Sequence, residues 1–536
     1  MVLESHESFS PAEQLQLAPY VTNTEHPVFV LTNLPEVIKG ALFSRYSRST
    51  LGLRTLLLRE FLQNDEAGFQ APSTSQDSRL ALNKAQSFYD RILDGYGDDS
   101  IGELGGAHLA LEQVSILATK VLEDARIGGS PLEKSTRYVS FAQQVNGDFQ
   151  FYKDPRVLAS DHAELYLETN RELFRTYAEL IEPIRDYLRK VLPPEPDQPQ
   201  AAYERSIRAR GFDLLRGLLP ASTLTNMGVF GNGRFFEGLL IRLRLQTLQE
   251  LQDLASAAEQ ELQQVVPSFI RRADPTHRHF CSQLNFQQQS QNLLNRWIQP
   301  QTPESSTPQS ASVELLSYDP EAEIEVLTAL FYENSELSFA QARENVRRMS
   351  DQDRENLLRQ WADLREHRRH KLGRALEHAS YTFDIVGDYG SYRDLHRHRI
   401  LTQERQRLTT RLGYTIPESL IDAGLESPVR KVLEKAASAF EALEGEFPQE
   451  AQYVVPMAYQ LRWSLKINLR SLMWLVELRT TPQGHENYRW LAQQMFQRVH
   501  EVQPRLAQLM RFVNLENYPL GRLAAEVKQE LRKQSS

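Results

Sequence analysis

A single cysteine, Cys281, stands in 536 residues, so no disulfide can close within the chain, and the cysteine usage is that of proteins kept in a reducing compartment. Nor is there a run of 18 or more uncharged apolar residues. The most apolar stretch, SLMWLVEL at 471–478, already contains Glu477, which excludes an ordinary membrane-spanning helix. The opening MVLESHESFSPAEQ has neither the basic nor the apolar region of a secretory signal. Together these absences predict a cytoplasmic protein with no membrane partner. A basic excess is missing as well: 61 Lys and Arg against 70 Asp and Glu leave a net charge of −9, which disfavours wholesale wrapping of nucleic acid. What remains, 41% hydrophobic and 24% charged, is the balance of a globular chain long enough for several domains.

The clearest break in the pattern is QPQTPESSTPQSAS at 299–312, a Pro/Ser/Thr/Gln tract without apolar periodicity that reads as a linker between residues 1–298 and 313–536. A second polar tract, PPEPDQPQ at 193–200, reads as a loop between helical regions. Elsewhere helical spacing dominates. In Arg462 to Arg479, Leu465, Leu469, Leu472 and Val476 recur on one face, which predicts an amphipathic helix. Strand character is scarcer: Tyr381, Phe383 and Ile385 alternate with polar residues, and Val139 and Phe141 flank Ser140 after a turn-rich GGSP. The expectation is an α+β fold with a helical majority.

The two halves share an order of features. LPASTLTN (219–226) precedes Asn232-Gly233-Arg234, and VPMAYQ (455–460) precedes Asn468-Leu469-Arg470. Glu103 precedes VLEDARIGGSPLEKSTRY, and Glu377 precedes DLHRHRILTQERQR. This order reads as an internal duplication joined at the linker.

Five of the 13 histidines, His367, His370, His378, His396 and His398, fall in one stretch of the second half. The same stretch carries Arg365, Arg368, Arg369, Arg374, Arg393, Arg397 and Arg399, fixed positive charge that repels a divalent metal ion and attracts phosphate. No metal site is expected; an anion site and a solvated basic face stand as the alternatives. Within the stretch, Arg397-His398-Arg399 offers guanidinium forks for phosphate and an imidazole for a further oxygen. In the first half, Ser130 to Tyr138 places three hydroxyls, a carboxylate, a guanidinium and a phenol on one segment able to hold a nucleotide. Ser130 with Glu133 also fits a helix capping box.

Arg-His-Arg, a Ser/Glu/Ser segment and a closing Arg-Tyr resemble the signature RHRxxSxNExSxRY of the flavin-dependent thymidylate synthases, the ThyX family. The chain looks like two such domains in tandem, with the signature divided between them. In the second half LEHASYTF (376–383) is similar to the family's FEHxxFTF, and Asn468-Leu469-Arg470, Glu477-Leu478-Arg479 and Gly484 to Arg489 resemble its C-terminal NxR, NLR and AQxEIR segments. After the triplet, Thr402 to Arg407 departs from the pattern, and Leu408 stands where tyrosine is expected. In the first half GYGDDSIGEL (95–104) is similar to GHxSPFEH, with Asp98 and Leu104 replacing its histidines; by spacing the triplet becomes Glu123-Asp124-Ala125, with Arg126 just beyond. SPLEKSTRY follows with Leu132 for Asn, and Asn232 with Arg234 repeats NxR.

The resemblance implies two domains, each a small β-sheet packed with long helices, that share the site residues between them. Arg397, His398, Arg399, Glu404, Arg479 and His378 are the candidates to bind FAD. Ser130, Glu133, Ser135, Arg137, Tyr138 and Arg234 are the candidates to bind dUMP, and Arg470 and Arg489 are the catalytic candidates. The implied reaction is reductive methylation of dUMP to dTMP with methylenetetrahydrofolate and NADPH as co-substrates and without a cysteine nucleophile. Two self-associating chains would form a pseudo-tetramer. The alternatives are a diverged flavin- or nucleotide-binding homologue without this activity and, through the Arg/His stretch, a nucleic-acid binder whose affinity would fall steeply with salt.

Overall fold

The computed structural model describes residues 7–47, 49–63, 102–125, 127–196, 198–298 and 310–535. Asp98, Ser100, Arg126 and linker residues 299–309 lie outside them. The fold is α+β with a helical majority. Its strands in chain order are β1 (Gly106–Ser115), β2 (Gly129–Glu133), β3 (Gln144–Val145), β4 (Asp148–Phe149), β5 (Leu224–Asn232), β6 (Ser312–Tyr318), β7 (Ser380–Asp388), β8 (Thr402–Arg405) and β9 (Gln460–Asn468). Contacts divide the chain into two compact units, each discontinuous in sequence. One gathers Met1–Glu112, Val121–Glu133 and Asn226–Gln301; the other gathers Gln113–Lys120, Lys134–Thr225 and Thr302–Ser536.

The first unit is organised on the sheet β1-β5-β2, with β2 antiparallel to β5 from Gly129↔Gly231 to Glu133↔Met227. Burial along β5 alternates, as a sheet with one covered face requires, and Met227 and Val229 point inward. At its end the Asn232 side chain accepts from the Phe235 N–H at 2.8 Å and caps the helix Gly233–Arg244. That helix buries Phe235, Phe236, Leu239, Leu240 and Leu243. Gly129 and Gly231 leave room for the Phe235 ring, which a Cβ at either would strike.

The second unit is organised on the antiparallel sheet β6-β7-β9-β8. Tyr381, Phe383 and Ile385 of β7 and Trp463, Leu465 and Ile467 of β9 are all buried, each worth roughly 1.5–3 kcal/mol of transfer free energy. Here the expected helix over Arg462–Arg479 divides. Its first part is β9, because Trp463, Leu465 and Ile467 alternate with Arg462, Ser464 and Lys466, and only beyond Asn468, which accepts from the Ser471 N–H at 2.9 Å, does the helix Leu469–Arg479 begin. The strand expected around Val139 and Phe141 is likewise absent. Residues 136–138 form a turn, and the extended segment is β2, where Ser130 and Glu133 lie in a strand and cap no helix.

Corresponding backbone bonds recur in the two halves. Ile116 N–H bonds Thr223 O at 2.9 Å and Leu117 N–H bonds Ala221 O at 3.1 Å; Tyr389 N–H bonds Tyr459 O at 2.9 Å and Gly390 N–H bonds Met457 O at 3.2 Å. Counted without a gap from these bonds, Asp124 and Ala125 fall at the positions of Arg397 and His398. The halves also meet reciprocally within this unit. Ala221 N–H donates to Val455 O at 2.9 Å, Met457 N–H donates to Leu219 O at 3.0 Å, and Pro220 lies opposite Pro456 between them. Such exchange of equivalent bonds is the mark of a two-fold contact. The helices Ala163–Val191 and Glu426–Glu444 pack beside it, burying Leu173, Phe174 and Tyr177 of one and Val432, Ala436 and Phe440 of the other.

Candidate functional site

The carboxylate of Asp213, on the helix Gln200–Leu215, is buried and held by two guanidinium groups. Arg137 Nε and Nη2 reach its two oxygens at 2.8 and 3.0 Å, and Arg522 Nη2 reaches both at 3.1 and 3.0 Å. Burial disfavours the charge, but Arg137 and its hydrogen bonds, then His485 and Arg522, overcome it and hold the carboxyl well below the usual carboxylate range. Arg137 is otherwise occupied as well: Nη1 donates to Tyr488 Oη at 2.9 Å and Nη2 to the Gln483 carbonyl at 3.0 Å.

Tyr488 sits between two cations, with Arg137 5.4 Å and Arg479 5.6 Å from its ring centre. Arg479 Nε in turn donates to His398 Nε2 at 3.0 Å. That bond assigns the imidazole proton to Nδ1. Burial, and after it the positive charge of Arg479, pulls the His398 pKa down to about 3, so the ring is neutral at physiological pH. Three residues before the triplet, Asp394 pairs with Arg216 at 3.0 Å. Its burial is outweighed by Arg216, Arg137, Arg397 and Arg479, which keep it ionised. The closing arginine of the first-half segment and the central histidine of the second-half triplet therefore share one cationic neighbourhood.

The other predicted residues are placed as follows. Arg397 and Arg399 are exposed. Ser135 accepts from the Arg137 N–H at 3.2 Å, and the Tyr138 ring lies under Arg522 at 4.4 Å. Ser130 is exposed and Glu133 buried on β2, in the first unit, where Arg234 pairs with Glu103 at 2.7 Å. Arg470 opens the helix that Arg479 closes and bonds Glu377 at 2.6 Å; nine residues of helix put about 14 Å between the two arginines. His378 stacks on Phe339 with ring centres 5.8 Å apart, and Glu404 accepts from Ser464 Oγ at 2.9 Å. Arg489 is buried against the carbonyls of Thr480 and Glu516 at 3.1 and 2.6 Å and the Asn514 amide oxygen at 3.3 Å. Thus the structure joins Arg137, Tyr138, Arg479 and His398, and sets Arg470, His378 and Arg234 elsewhere.

Asp213, Arg216, Tyr488 and Arg522 escaped sequence reasoning as site residues. For the first two a signal existed: FDLLRGLLP (212–220) carries one acid and one base inside an otherwise apolar run, and buried charges occur in pairs. The five histidines do not converge. His367 and His370 contact each other, His396 packs on Tyr392, and Arg365 is drawn into a buried pair with Glu477 at 2.6 Å. No helix among the described residues is long and apolar enough to cross a membrane.

A family model for the thymidylate synthase complementing protein matches residues 57–268 and again 314–505. A UPF0159 protein of Chlamydia muridarum is 48% identical over 529 residues, spanning 99% of this chain and all of that protein. A flavin-dependent thymidylate synthase of Geobacter sulfurreducens is 32% identical over 139 residues, which cover 24% of this chain and 60% of that one. A solved UMP/dUMP methylase from Streptomyces cacaoi, bound with 5-Br dUMP, aligns at 18% identity and a TM-score of 0.31, over 38% of this chain and 97% of that one.

Proposed function

Because the chain belongs to the thymidylate synthase complementing protein family, we propose that it is a flavin-dependent enzyme that methylates dUMP to dTMP, using FAD, with methylenetetrahydrofolate and NADPH as co-substrates. The observation that carries the reading is the chain of contacts Arg137–Tyr488–Arg479–His398, which links signature pieces supplied by the two halves. The residues present fit a phosphate-bearing flavin. Arg397 and Arg399 are exposed cations, the first acting on the arginine-compensated Asp394, and His398, whose Nε2 is occupied, keeps Nδ1–H to donate to a ligand oxygen. A bound flavin would supply the hydride. Arg479 fixes the imidazole, and Arg137 orients the Tyr488 phenol. Self-association into a pseudo-tetramer of two chains in the cytoplasm completes the proposal.

One observation favours a second reading, a diverged homologue that binds flavin or nucleotide without making dTMP: the Arg137 guanidinium is engaged by Asp213, Tyr488 and Gln483. Two experiments separate the readings. The purified protein should show flavin absorbance that dUMP perturbs, and Arg397→Ala should lose the flavin; retention in that variant would remove the triplet from the cofactor site. Expression in a thymidine-requiring host should then restore growth without thymidine, whereas flavin-loaded protein that fails to do so supports the second reading.

A further inference from the structure

Beside the Asp213 network the second unit has a small, partly open polar pocket of about 30 Å³ lined by Arg210, Asp213, Glu486, Arg489, Tyr518 and Arg522. One wall is residues 518–522, which lie past residue 505, where the family match ends. The pocket's charge does not balance. Arg210 pairs with Glu486 at 2.7 Å, but Asp213 is shared between Arg137 and Arg522. Arg489 donates to carbonyl and amide oxygens and lies over the Tyr518 ring, and among the described residues no carboxylate lies within ion-pair reach of it. Three lining guanidinium groups thus face two carboxylates, one of which Arg137 also shares from outside the pocket. Burial disfavours the charge of both Arg489 and Arg522, the condition under which an arriving anion gains most.

We propose that this pocket binds the phosphate of a small phosphate-bearing ligand between Arg210, Arg489 and Arg522, with residues 518–522 as a wall added to the shared family module. The excess of one positive charge favours an anion, and guanidinium forks suit phosphate oxygens. The proposal stands apart from the flavin chemistry, because the charge imbalance is present whatever reaction the protein performs.

The test uses the whole chain in phosphate-free buffer, titrated with inorganic phosphate and followed by calorimetry and thermal melting. Phosphate should bind saturably and raise the melting temperature, while sodium chloride at matched ionic strength does not. Arg522→Gln and Arg210→Gln should each weaken phosphate binding at least tenfold. Arg210→Gln spares Asp213 and guards against a folding defect in the other variant. Competition by dUMP would identify the phosphate as the nucleotide's, and simultaneous binding of dUMP and phosphate would assign the pocket to a different phosphate ligand. Phosphate binding that does not saturate, or that both cooperatively melting variants retain, overturns the proposal. Flavin absorbance recorded in parallel shows separately whether the enzymatic reading holds.

Discussion

Arg479 donates its Nε–H to Nε2 of His398, so that burial first and a permanently charged neighbour second keep the imidazole neutral. With the imidazole pKa near 3, the ring should remain uncharged well below the usual histidine range. At pH 5 the His398 ring nitrogens should give the NMR shifts of a neutral Nδ1–H tautomer, and Arg479→Gln should raise its pKa only in part, because burial, the larger cause, remains. The sign for stability follows. A depressed histidine pKa means that the unfolded chain binds the proton more tightly, so stability is lost as pH falls from about 6.5 toward 3.

Asp213 should be a costly carboxylate to neutralise. Asp213→Asn keeps the shape but leaves Arg137 and Arg522 buried without a counter-charge, a change that costs about 3–5 kcal/mol when one partner of a buried pair is lost. Denaturant melts read this as a lower midpoint with an unchanged slope. Because Asp213 and Asp394 are both held below their ordinary range, the stability they supply is complete above about pH 4 and lost on further acidification.

The Arg470–Glu377 pair offers the contrast. Both side chains are about a third exposed, and such pairs contribute at most about 1 kcal/mol. Arg470→Ala should move the unfolding free energy by less than that, in an effect that shrinks further in 0.5 M salt.

Asn232 and Asn468 do the same work in the two halves, each ending a strand and capping the helix that follows. Replacing either by Ala should destabilise its unit by about 1 kcal/mol, and replacing either by Asp should cost much less. Hydrogen exchange localised to the first turn of the affected helix would show the effect.

The alternation in β7 was legible because Tyr381, Phe383 and Ile385 face one side of a sheet, and the pattern breaks only after Ile385, where the strand is buried on both faces. That in β9 was masked, because Leu465 and Leu469 fall four residues apart and mimic a helix across the strand–helix boundary at Asn468. Val139 and Phe141 misled for the opposite reason: what makes β2 a strand is its pairing with distant β5, which no local spacing reports. The order of motifs in the two halves was visible from the residues alone. The partners that surround them were not, since Arg522 and Asp213 are separated by most of the chain and only the fold brings their charges together.

The reciprocal bonds around Pro220 and Pro456 have the form of an interface between identical subunits, drawn here with one continuous thread. In an assembly of identical chains, each mutation would be copied on both sides of the axis, and a gain at one position could be cancelled by harm at its mirror image. A single gene encoding both sides escapes that constraint. Gln452 can stand opposite Arg216, and Ala125 opposite His398, each free to drift while its counterpart keeps its charge or its ring.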